Sequence, residues 1–214
     1  MQKNRPKKAS APAQGKRPPH QVRIIGGQWK RTPLAVLDAD GLRPTPDRVR
    51  ETVFNWLNHL LGGSWEQARC LDLFAGTGAL GFEAASRGAA RVVLVEDNGA
   101  AVRQLQATKE KLKADKVEIL RGDALAVASS LASSAPQGFR VIFLDPPYHQ
   151  DWLVKILPVC ERLLADGGLV YAEAEVPLDG ETPPDWMKGW NVVRGDKAGM
   201  VFYHLLHRNG EAGN

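Results

Sequence analysis

Cysteine is scarce in this chain, which has only two among its 214 residues, Cys70 and Cys160. Two cysteines are too few for the dense disulfide framework of a small secreted domain, and their positions do not have the paired spacing of a zinc site. Because unbonded cysteine is among the residue types most often buried, we expect both side chains to lie in the core.

The sequence also lacks long apolar runs. The longest have the length of a β-strand, far short of the roughly 20 residues that span a bilayer, and no apolar segment typical of a signal peptide occurs near the N-terminus. These features predict a cytoplasmic protein with no membrane partner. The histidines do not have the spacing of metal ligands, so the sequence predicts no metal site.

Positive charge is concentrated at the N-terminal end. Residues 1–56 carry twelve Lys and Arg against four Asp and Glu, whereas the whole chain has a net charge of only +4. A basic arm on an otherwise acidic body suggests a partner with many phosphates, such as nucleic acid. For residues 1–20, which are rich in Lys, Pro and Ala, the composition predicts disorder; RNA contact and a purely solubilising role both remain open.

The apolar periodicity divides the chain into a tail over residues 1–20, a β-hairpin module over 21–45 and an α/β domain over 46–208. Strands are predicted at 69–74, 91–96, 117–120, 139–145 and 167–175, and helices near 46–61, 79–87, 99–113, 124–132 and 151–164. A terminal hairpin over 190–207 is predicted to turn at Gly195-Asp196. Repeated β–α alternation indicates a doubly wound, mostly parallel sheet that binds ligands at the carboxyl ends of its strands.

The stretch "LDLFAGTGALG" contains a Gly-x-Gly-x-x-Gly pattern at Gly76, Gly78 and Gly81. Such glycines let a chain turn tightly from strand to helix while backbone N–H groups approach a polar ligand. Glu96 follows twenty residues after Gly76, where a carboxylate would accept the hydroxyls of a ribose. Asp72, however, would repel the pyrophosphate of a dinucleotide and would suit a cationic or zwitterionic ligand.

The predicted fourth strand of the α/β domain ends in "DPPY", residues 145–148, for which a hydride-transfer enzyme has no evident use. S-adenosylmethionine fits these features better than a dinucleotide does. It has a ribose, an adenine, an amino-acid tail and a sulfonium cation, and it carries no phosphate. The sequence therefore predicts S-adenosyl-L-methionine as the cofactor.

With these motifs in this order, the sequence resembles class I S-adenosylmethionine-dependent methyltransferases that methylate exocyclic amines. The blocks "RIIGGQWKRTPL", "GLRPTPDRVRETVFNWL" and "LDLFAGTGALGFEAASRGA" are similar to the bacterial 16S rRNA guanine-N2 methyltransferase family called RsmD, over about residues 23–203. The resemblance implies the Rossmann-like class I fold, with a mostly parallel seven-stranded sheet and an N-terminal β-hairpin extension.

The motifs and the resemblance together nominate three groups of site residues. The catalytic group comprises Asp145, Pro146, Pro147 and Tyr148. The cofactor-binding group comprises Asp72, Phe74, Ala75, Gly76, Thr77, Gly78, Glu96, Asp97, Asp123, Ala124 and Asp145. The RNA-binding group comprises Arg23, Trp29, Lys30, Arg31, Arg43, Thr45, Arg48 and Arg50. Simpler interpretations remain open for some of them: Asp123 could cap the following helix, Tyr148 could be a packing residue, and Arg48 or Arg50 alone could lie on a solvated helix start.

The resemblance implies methylation of the N2 amine of a specific guanine in 16S rRNA, with the small ribosomal subunit or its assembly intermediate as the partner and a monomer as the default state. Two other interpretations remain open. One is a methyltransferase that acts on another amine, such as adenine N6 in RNA or DNA or a protein glutamine. The other is a non-catalytic ribosome-assembly factor that retains a methyltransferase fold.

Overall fold

The computed structural model describes residues 22–36, 46–134 and 138–210. The strands are β1 (Val22–Arg23), β2 (Pro33–Leu34), β3 (Arg69–Asp72), β4 (Arg91–Glu96), β5 (Val117–Arg121), β6 (Phe139–Leu144), β7 (Leu164–Ala174), β8 (Trp190–Ala198) and β9 (Val201–Arg208). The helices are α1 (Asp47–Leu60), α2 (Ala79–Ser86), α3 (Gly99–Leu112), α4 (Ala124–Ser134) and α5 (Trp152–Leu163), with a 3-10 turn at Asp185–Met187.

Seven strands form one sheet in the order β5-β4-β3-β6-β7-β9-β8. The first five are parallel, while β9 runs antiparallel to both of its neighbours. The predicted doubly wound, mostly parallel sheet is therefore confirmed. Because its strands are parallel, the loops after β3, β4, β5 and β6 all emerge at the same edge.

Successive side chains of the parallel strands pack into two apolar layers, one on each face of the sheet. Cys70 belongs to the layer that includes Phe54 of α1 and Phe82 of α2. Leu71 belongs to the other layer, which contains Cys160 of α5. Both cysteines are fully buried, as expected, and burial raises the pKa of each thiol beyond its usual range. Within the described residues, no helix is both long and apolar enough to cross a membrane.

The terminal hairpin turns four residues later than the sequence predicts. Strand β8 continues through Gly195, which pairs with His204, and the turn lies at Gly199–Met200, where Gly199 has a φ of 64°. A Cβ on Gly195 would come within 2.8 Å of the Asp179 carboxylate. The glycine at 195 therefore permits close packing of a neighbouring loop inside a strand, and the predicted turn at Gly195-Asp196 was wrong.

The N-terminal β-hairpin forms as the sequence predicts. Strands β1 and β2 pair antiparallel, with Val22 opposite Leu34. Val22, Ile24 and Leu34 are buried in the same apolar layer as α1 and α2. The hairpin is thereby fastened to the α/β sheet by apolar burial as well as by the polar contacts of its loop.

A buried carboxylate holds this loop against α2. Glu83 is fully buried, and its two oxygens accept hydrogen bonds from the backbone N–H groups of Ile25 at 2.6 Å and Gly26 at 2.9 Å. Arg87 donates to the same carboxylate from Nε at 2.7 Å. Three donors on one buried acid offset the cost of removing its charge from water.

The end of α2 holds the next residues of the same loop. Ser86 Oγ donates to the Gly26 carbonyl at 2.6 Å and accepts from the Trp29 N–H at 2.9 Å, while the Ser86 carbonyl accepts from Gln28 at 2.8 Å. A Cβ on Gly27 would lie 1.9 Å from that carbonyl oxygen, so only glycine fits there. The position of Trp29 is therefore fixed by α2.

We predict that Glu83→Ala lowers the free energy of unfolding by about 3–5 kcal/mol, because it leaves a partly buried guanidinium and two backbone N–H groups without their acceptor. Urea denaturation followed by circular dichroism measures this loss. The matched control is Glu118→Ala, which removes an ion pair with Arg91 between two half-exposed side chains and should cost less than about 1 kcal/mol. Equal losses in the two variants would contradict this account of the buried network.

Candidate functional site at the carboxyl edge of the sheet

Four loops that carry predicted site residues meet at one edge of the sheet. The glycine loop follows β3, Glu96 ends β4, Asp123 follows β5, and the Asp-Pro-Pro-Tyr segment follows β6. Strands β3 and β6 are neighbours, and they lie where the strand order reverses. A crevice at such a switch point is the usual ligand site of doubly wound sheets.

The glycines of the loop have different steric tasks. Gly78, with a φ of 78°, is the residue before α2, and a Cβ there would lie 2.5 Å from the Phe82 ring. A Cβ on Gly81 would lie 2.0 Å from a methyl group of Leu94, so Gly81 permits close packing of α2 on β4. Gly76 has a φ of 50°, and a Cβ there would meet no heavy atom within 4 Å. The loop therefore presents open space at Gly76 alone among the three.

Asp72 lies beneath the glycine loop. Its carboxylate is almost fully buried and accepts hydrogen bonds from the backbone N–H groups of Gly81 at 3.2 Å and Phe74 at 3.4 Å. Burial raises the pKa of Asp72 to about 7, although these hydrogen bonds oppose the shift. In this structure Asp72 organises the loop from inside through these two contacts.

Glu96 joins the ends of β3 and β4. One carboxylate oxygen accepts from the Gly76 N–H at 2.8 Å, and the other accepts from the Asn98 N–H at 2.9 Å. Each carboxylate oxygen retains a second lone pair that can accept a ligand hydroxyl. Asp97, the next residue, is exposed, and Asn98 caps α3 by accepting from the N–H groups of two residues in its first turn.

Asp123 caps α4, which is the alternative that the sequence left open. Its Oδ1 accepts from the Ala126 N–H at 2.9 Å, and its side chain is exposed at the same edge of the sheet as Glu96. Ala124, the first residue of α4, is buried. Capping occupies one carboxylate oxygen, so a cofactor contact by Asp123 stays a prediction.

The Asp-Pro-Pro-Tyr segment lies directly beside the glycine loop. The Leu73 N–H donates to the Phe143 carbonyl at 3.2 Å, which continues the pairing of β3 with β6 up to both loops. Asp145 and Pro146 are half-buried, whereas Pro147 is exposed and Tyr148 has 41% of its surface exposed. The segment thus presents a carboxylate and an accessible aromatic ring at the end of the strand beside the one that leads into the glycine loop.

Sequence reasoning missed two acidic residues beside the Asp-Pro-Pro-Tyr segment: Glu173 near the end of the neighbouring strand β7, and Glu175 directly after that strand. Tyr171 is buried and donates its hydroxyl to Glu173 at 2.7 Å. Burial, together with the negative charges of Glu173 and Asp145, raises the pKa of Tyr171 well above its usual range. Two residues later, Glu175 contacts the loop after Tyr148. The signal in the sequence was the alternating acid pattern of "YAEAE" at a strand end.

The predicted RNA-binding residues have mixed environments. Lys30, Arg31 and Arg48 are exposed, and Trp29 is half-buried against the core. The exposed Arg23 forms an ion pair with Asp47 at 2.8 Å.

For Arg50, the structure does not support the expected contact with RNA. Its side chain is 0% exposed, and it donates to the Arg23 carbonyl at 2.8 Å and to Asp47 at 2.6 Å. Arg50 therefore fastens the N-terminal hairpin to α1. Arg43 and Thr45 lie outside the described residues.

The polar groups and the open space of the site suit the predicted cofactor. Glu96 offers acceptors for ribose hydroxyls, the loop at Gly76 offers open space, and the carboxyl of Asp72 favours a nearby positive charge when it is ionised. None of these groups requires a ligand that carries phosphate. Among the described residues, no group of three or more His, Cys, Asp or Glu could hold a metal ion.

The chain is similar to known proteins over most of its length. A family model described as conserved hypothetical protein 95 matches residues 22–207. Ribosomal RNA small subunit methyltransferase D of Escherichia coli strain K12 is 39% identical over 202 residues, which cover 92% of this chain and 96% of that protein. The protein of the same description from Haemophilus influenzae is 37% identical and covers 86% of this chain and 93% of its own.

Solved structures are similar over the same extent. The Escherichia coli protein yhhF has a TM-score of 0.71 at 38% identity and covers 88% of this chain and 98% of its own. A precorrin-6y C5,15-methyltransferase from Geobacter metallireducens has a TM-score of 0.58 at 14% identity and covers 81% of this chain and 92% of its own, which shows a shared fold. The class of fold expected from the sequence is confirmed.

The raised pKa of Asp72 generates a prediction for stability. Below about pH 4 the carboxyl is protonated in both states, so its burial is least costly there. As the pH rises from about 4 to about 7, the unfolded chain loses this proton while the folded chain retains it, and stability falls; above about pH 7 the contribution is constant.

Asp72→Asn cannot titrate, so it should remove this fall. Urea unfolding of the variant and the wild type across the same pH range measures the difference, with the exposed Asp115→Asn as the control. A wild-type minus Asp72→Asn difference that does not change with pH would contradict the assignment.

Proposed function

Because this chain belongs to the family described as conserved hypothetical protein 95, the RsmD family that its sequence resembles, we propose that it methylates the exocyclic N2 amine of a guanine in small-subunit rRNA. The chain is a methyltransferase with a cofactor of the S-adenosylmethionine type. The proposal adds three finer assignments. The cofactor is S-adenosyl-L-methionine itself, the methylated atom is guanine N2, and the substrate is 16S rRNA in the small subunit or its assembly intermediate.

One observation carries the proposal: the Asp-Pro-Pro-Tyr segment lies beside the glycine loop at the strand-order reversal. The lone pair of an exocyclic purine nitrogen is delocalised into the ring, which makes that nitrogen a poor nucleophile. If the Asp145 carboxylate and the Pro146 carbonyl each accept one N–H of this amine, its lone pair is directed toward the methyl donor. Positioning of this kind can lower the activation free energy by roughly 7–11 kcal/mol.

The two prolines make this acceptor pair rigid. Both lack an N–H and fix φ, and Pro146 restricts Asp145 to an extended backbone. The half-exposed ring of Tyr148 is available to stack on a base taken out of its helix or loop. After alkylation, the nitrogen loses one proton, which Asp145 or water can accept.

The cofactor would be held by the residues around Gly76. Glu96 would accept the ribose hydroxyls, Asp97, Asp123 and Ala124 would line the adenine side, and the loop from Phe74 to Gly78 would approach the amino-acid tail. When bound, S-adenosylmethionine supplies an activated methyl group on a sulfonium. The ionised Asp72 would favour that positive charge from beneath the loop.

RNA would be bound by the exposed basic residues of the N-terminal part. Arg23, Lys30, Arg31 and Arg48 are accessible, and Trp29 is held beside them by α2. Phosphate contacts of this kind supply affinity without sequence preference, so the target guanine has to be selected by the shape of the RNA and by the site. We propose a cytoplasmic enzyme that acts as a monomer, with residues 21–45 as its RNA-binding module.

The proposal predicts that Asp145→Ala lowers methyl transfer by roughly 100- to 1000-fold or more, because the amine loses its orienting acceptor. The assay incubates labelled S-adenosylmethionine with small subunits that lack the modification and identifies the product by nucleoside mass spectrometry. Asp115→Ala, an exposed acid that precedes β5 at the opposite edge of the sheet, is the matched control and should retain wild-type activity.

N2-methylguanosine as the product supports the proposal, whereas N6-methyladenosine would replace guanine with adenine as the substrate. Binding of S-adenosylmethionine without any transfer would favour the assembly-factor interpretation. Wild-type turnover by Asp145→Ala would refute the mechanism.

A second prediction concerns the hairpin. Lys30→Ala should weaken binding to small-subunit rRNA and make the negative slope of log affinity against log salt shallower by roughly 0.7–0.9, the value for one lost phosphate contact. Cofactor affinity, measured by calorimetry, should not change. The matched control is Lys116→Ala, an exposed lysine before β5 at the opposite edge. An unchanged salt slope for Lys30→Ala would exclude a phosphate contact at this residue.

A further inference from the structure

The loop that follows Tyr148 is anchored to the end of β7 by one carboxylate. Glu175 Oε1 accepts from the backbone N–H of His149 at 2.5 Å, and Glu175 Oε2 lies 2.8 Å from His149 Nδ1. Both oxygens of the acid are therefore engaged by a single residue, once through its backbone and once through its side chain. A pair of this kind fixes the direction of the chain as well as the position of one atom.

The backbone at this anchor is in a conformation that side chains disfavour. His149 has a φ of 62°, and Asp151, two residues later, has a φ of 52°. A left-handed conformation costs a residue other than glycine roughly 1–2 kcal/mol and persists where the surroundings hold it in place. At His149 the contacts with Glu175 supply this constraint.

The anchor lies close to the proposed catalytic residues because of the sheet register. Leu144, the last residue of β6, pairs with Ala172 of β7. The chain then continues from β6 through Asp145 to Tyr148, while β7 continues past Ala172 to Glu175. Glu175 is thus placed to reach the residue directly after Tyr148 from the adjacent strand.

From this geometry we infer that Glu175 and His149 are positioning residues, which hold Tyr148 and the Asp145–Pro146 acceptors in the orientation that binds the target base. This inference rests on the function proposed above. On one side of Tyr148 the two prolines fix the backbone, and on the other side the Glu175–His149 pair fixes it. Tyr148 is therefore constrained from both directions, although its ring is accessible.

The Glu175–His149 pair contributes little to the free energy of unfolding of the whole protein. The side chains of His149 and Glu175 are 86% and 42% exposed, and exposed ion pairs contribute little to the free energy of unfolding. Loss of the pair should therefore change the geometry of the loop without unfolding the protein. This separates a positioning role from a structural one.

The test uses the full chain with small subunits that lack the modification and with saturating S-adenosylmethionine. Glu175→Ala should lower the single-turnover rate of methyl transfer by roughly 10- to 100-fold, the size expected from misplacement of a reacting group, with unchanged cofactor affinity. The single-turnover rate of Glu175→Gln should lie between those of Glu175→Ala and the wild type, because the glutamine carbonyl oxygen can accept only one of the two hydrogen bonds.

The conservative variant His149→Asn should stay close to the wild-type rate, since asparagine tolerates a left-handed conformation and its side-chain amide can donate to Glu175. The matched control is Asp185→Asn, which removes the exposed Asp185–Lys188 ion pair in the segment between β7 and β8 and should leave the rate unchanged. A wild-type rate for Glu175→Ala at saturation would overturn the inference.

Hydrogen exchange of the His149 amide gives a readout that does not require activity. Glu175→Ala should accelerate this exchange while the urea midpoint stays constant. If the wild type transferred no methyl group, the proposed function would fail, and the exchange rate would still decide whether Glu175 anchors the loop. Equal exchange in Glu175→Ala and the wild type would overturn the inference regardless of the result for transfer.

Discussion

The parallel pairing of β3 with β6 is the constraint on which the rest of the site depends. It is continued past the regular strands by the hydrogen bond from Leu73 to the Phe143 carbonyl. Residues more than sixty positions apart in the sequence are brought to neighbouring positions at one edge of the sheet by this pairing. The glycine loop and the Asp-Pro-Pro-Tyr segment each follow one of these two strands, so the pairing brings them side by side.

Buried carboxylates hold the loops at both ends of α2. Asp72 binds the Gly81 N–H near the start of this helix, and Glu83 binds the hairpin loop and Arg87 further along it. A short helix of eight residues therefore connects the space at Gly76 with the hairpin that carries Trp29 and Lys30. Asp72 has two donors and Glu83 has three, so the loss of either acid leaves polar groups without their acceptor and weakens the attachment of its loop.

The site also illustrates two uses of exposed and buried charge. Arg50 is a basic residue in a basic segment, yet its guanidinium is enclosed and holds the Arg23 carbonyl and Asp47. Glu175 is an ordinary surface acid by its exposure, yet both of its oxygens contact the residue that follows Tyr148. Residue type alone indicated phosphate binding for Arg50 and no role for Glu175. The observed contacts of both residues depend on where their partners lie, which charge alone does not indicate.

The sequence by itself determined the alternation of strands and helices, the glycine loop, Glu96 at the end of β4 and the Asp-Pro-Pro-Tyr segment. These depend on local periodicity and on the special backbone freedom of Gly and Pro, which act over a few residues. Only the tertiary structure decided that Gly195 packs against Asp179 within a strand, that Arg50 is buried, and that Glu175 reaches His149. Those outcomes depend on which distant atoms come within contact distance, and that is set by the order and register of the strands.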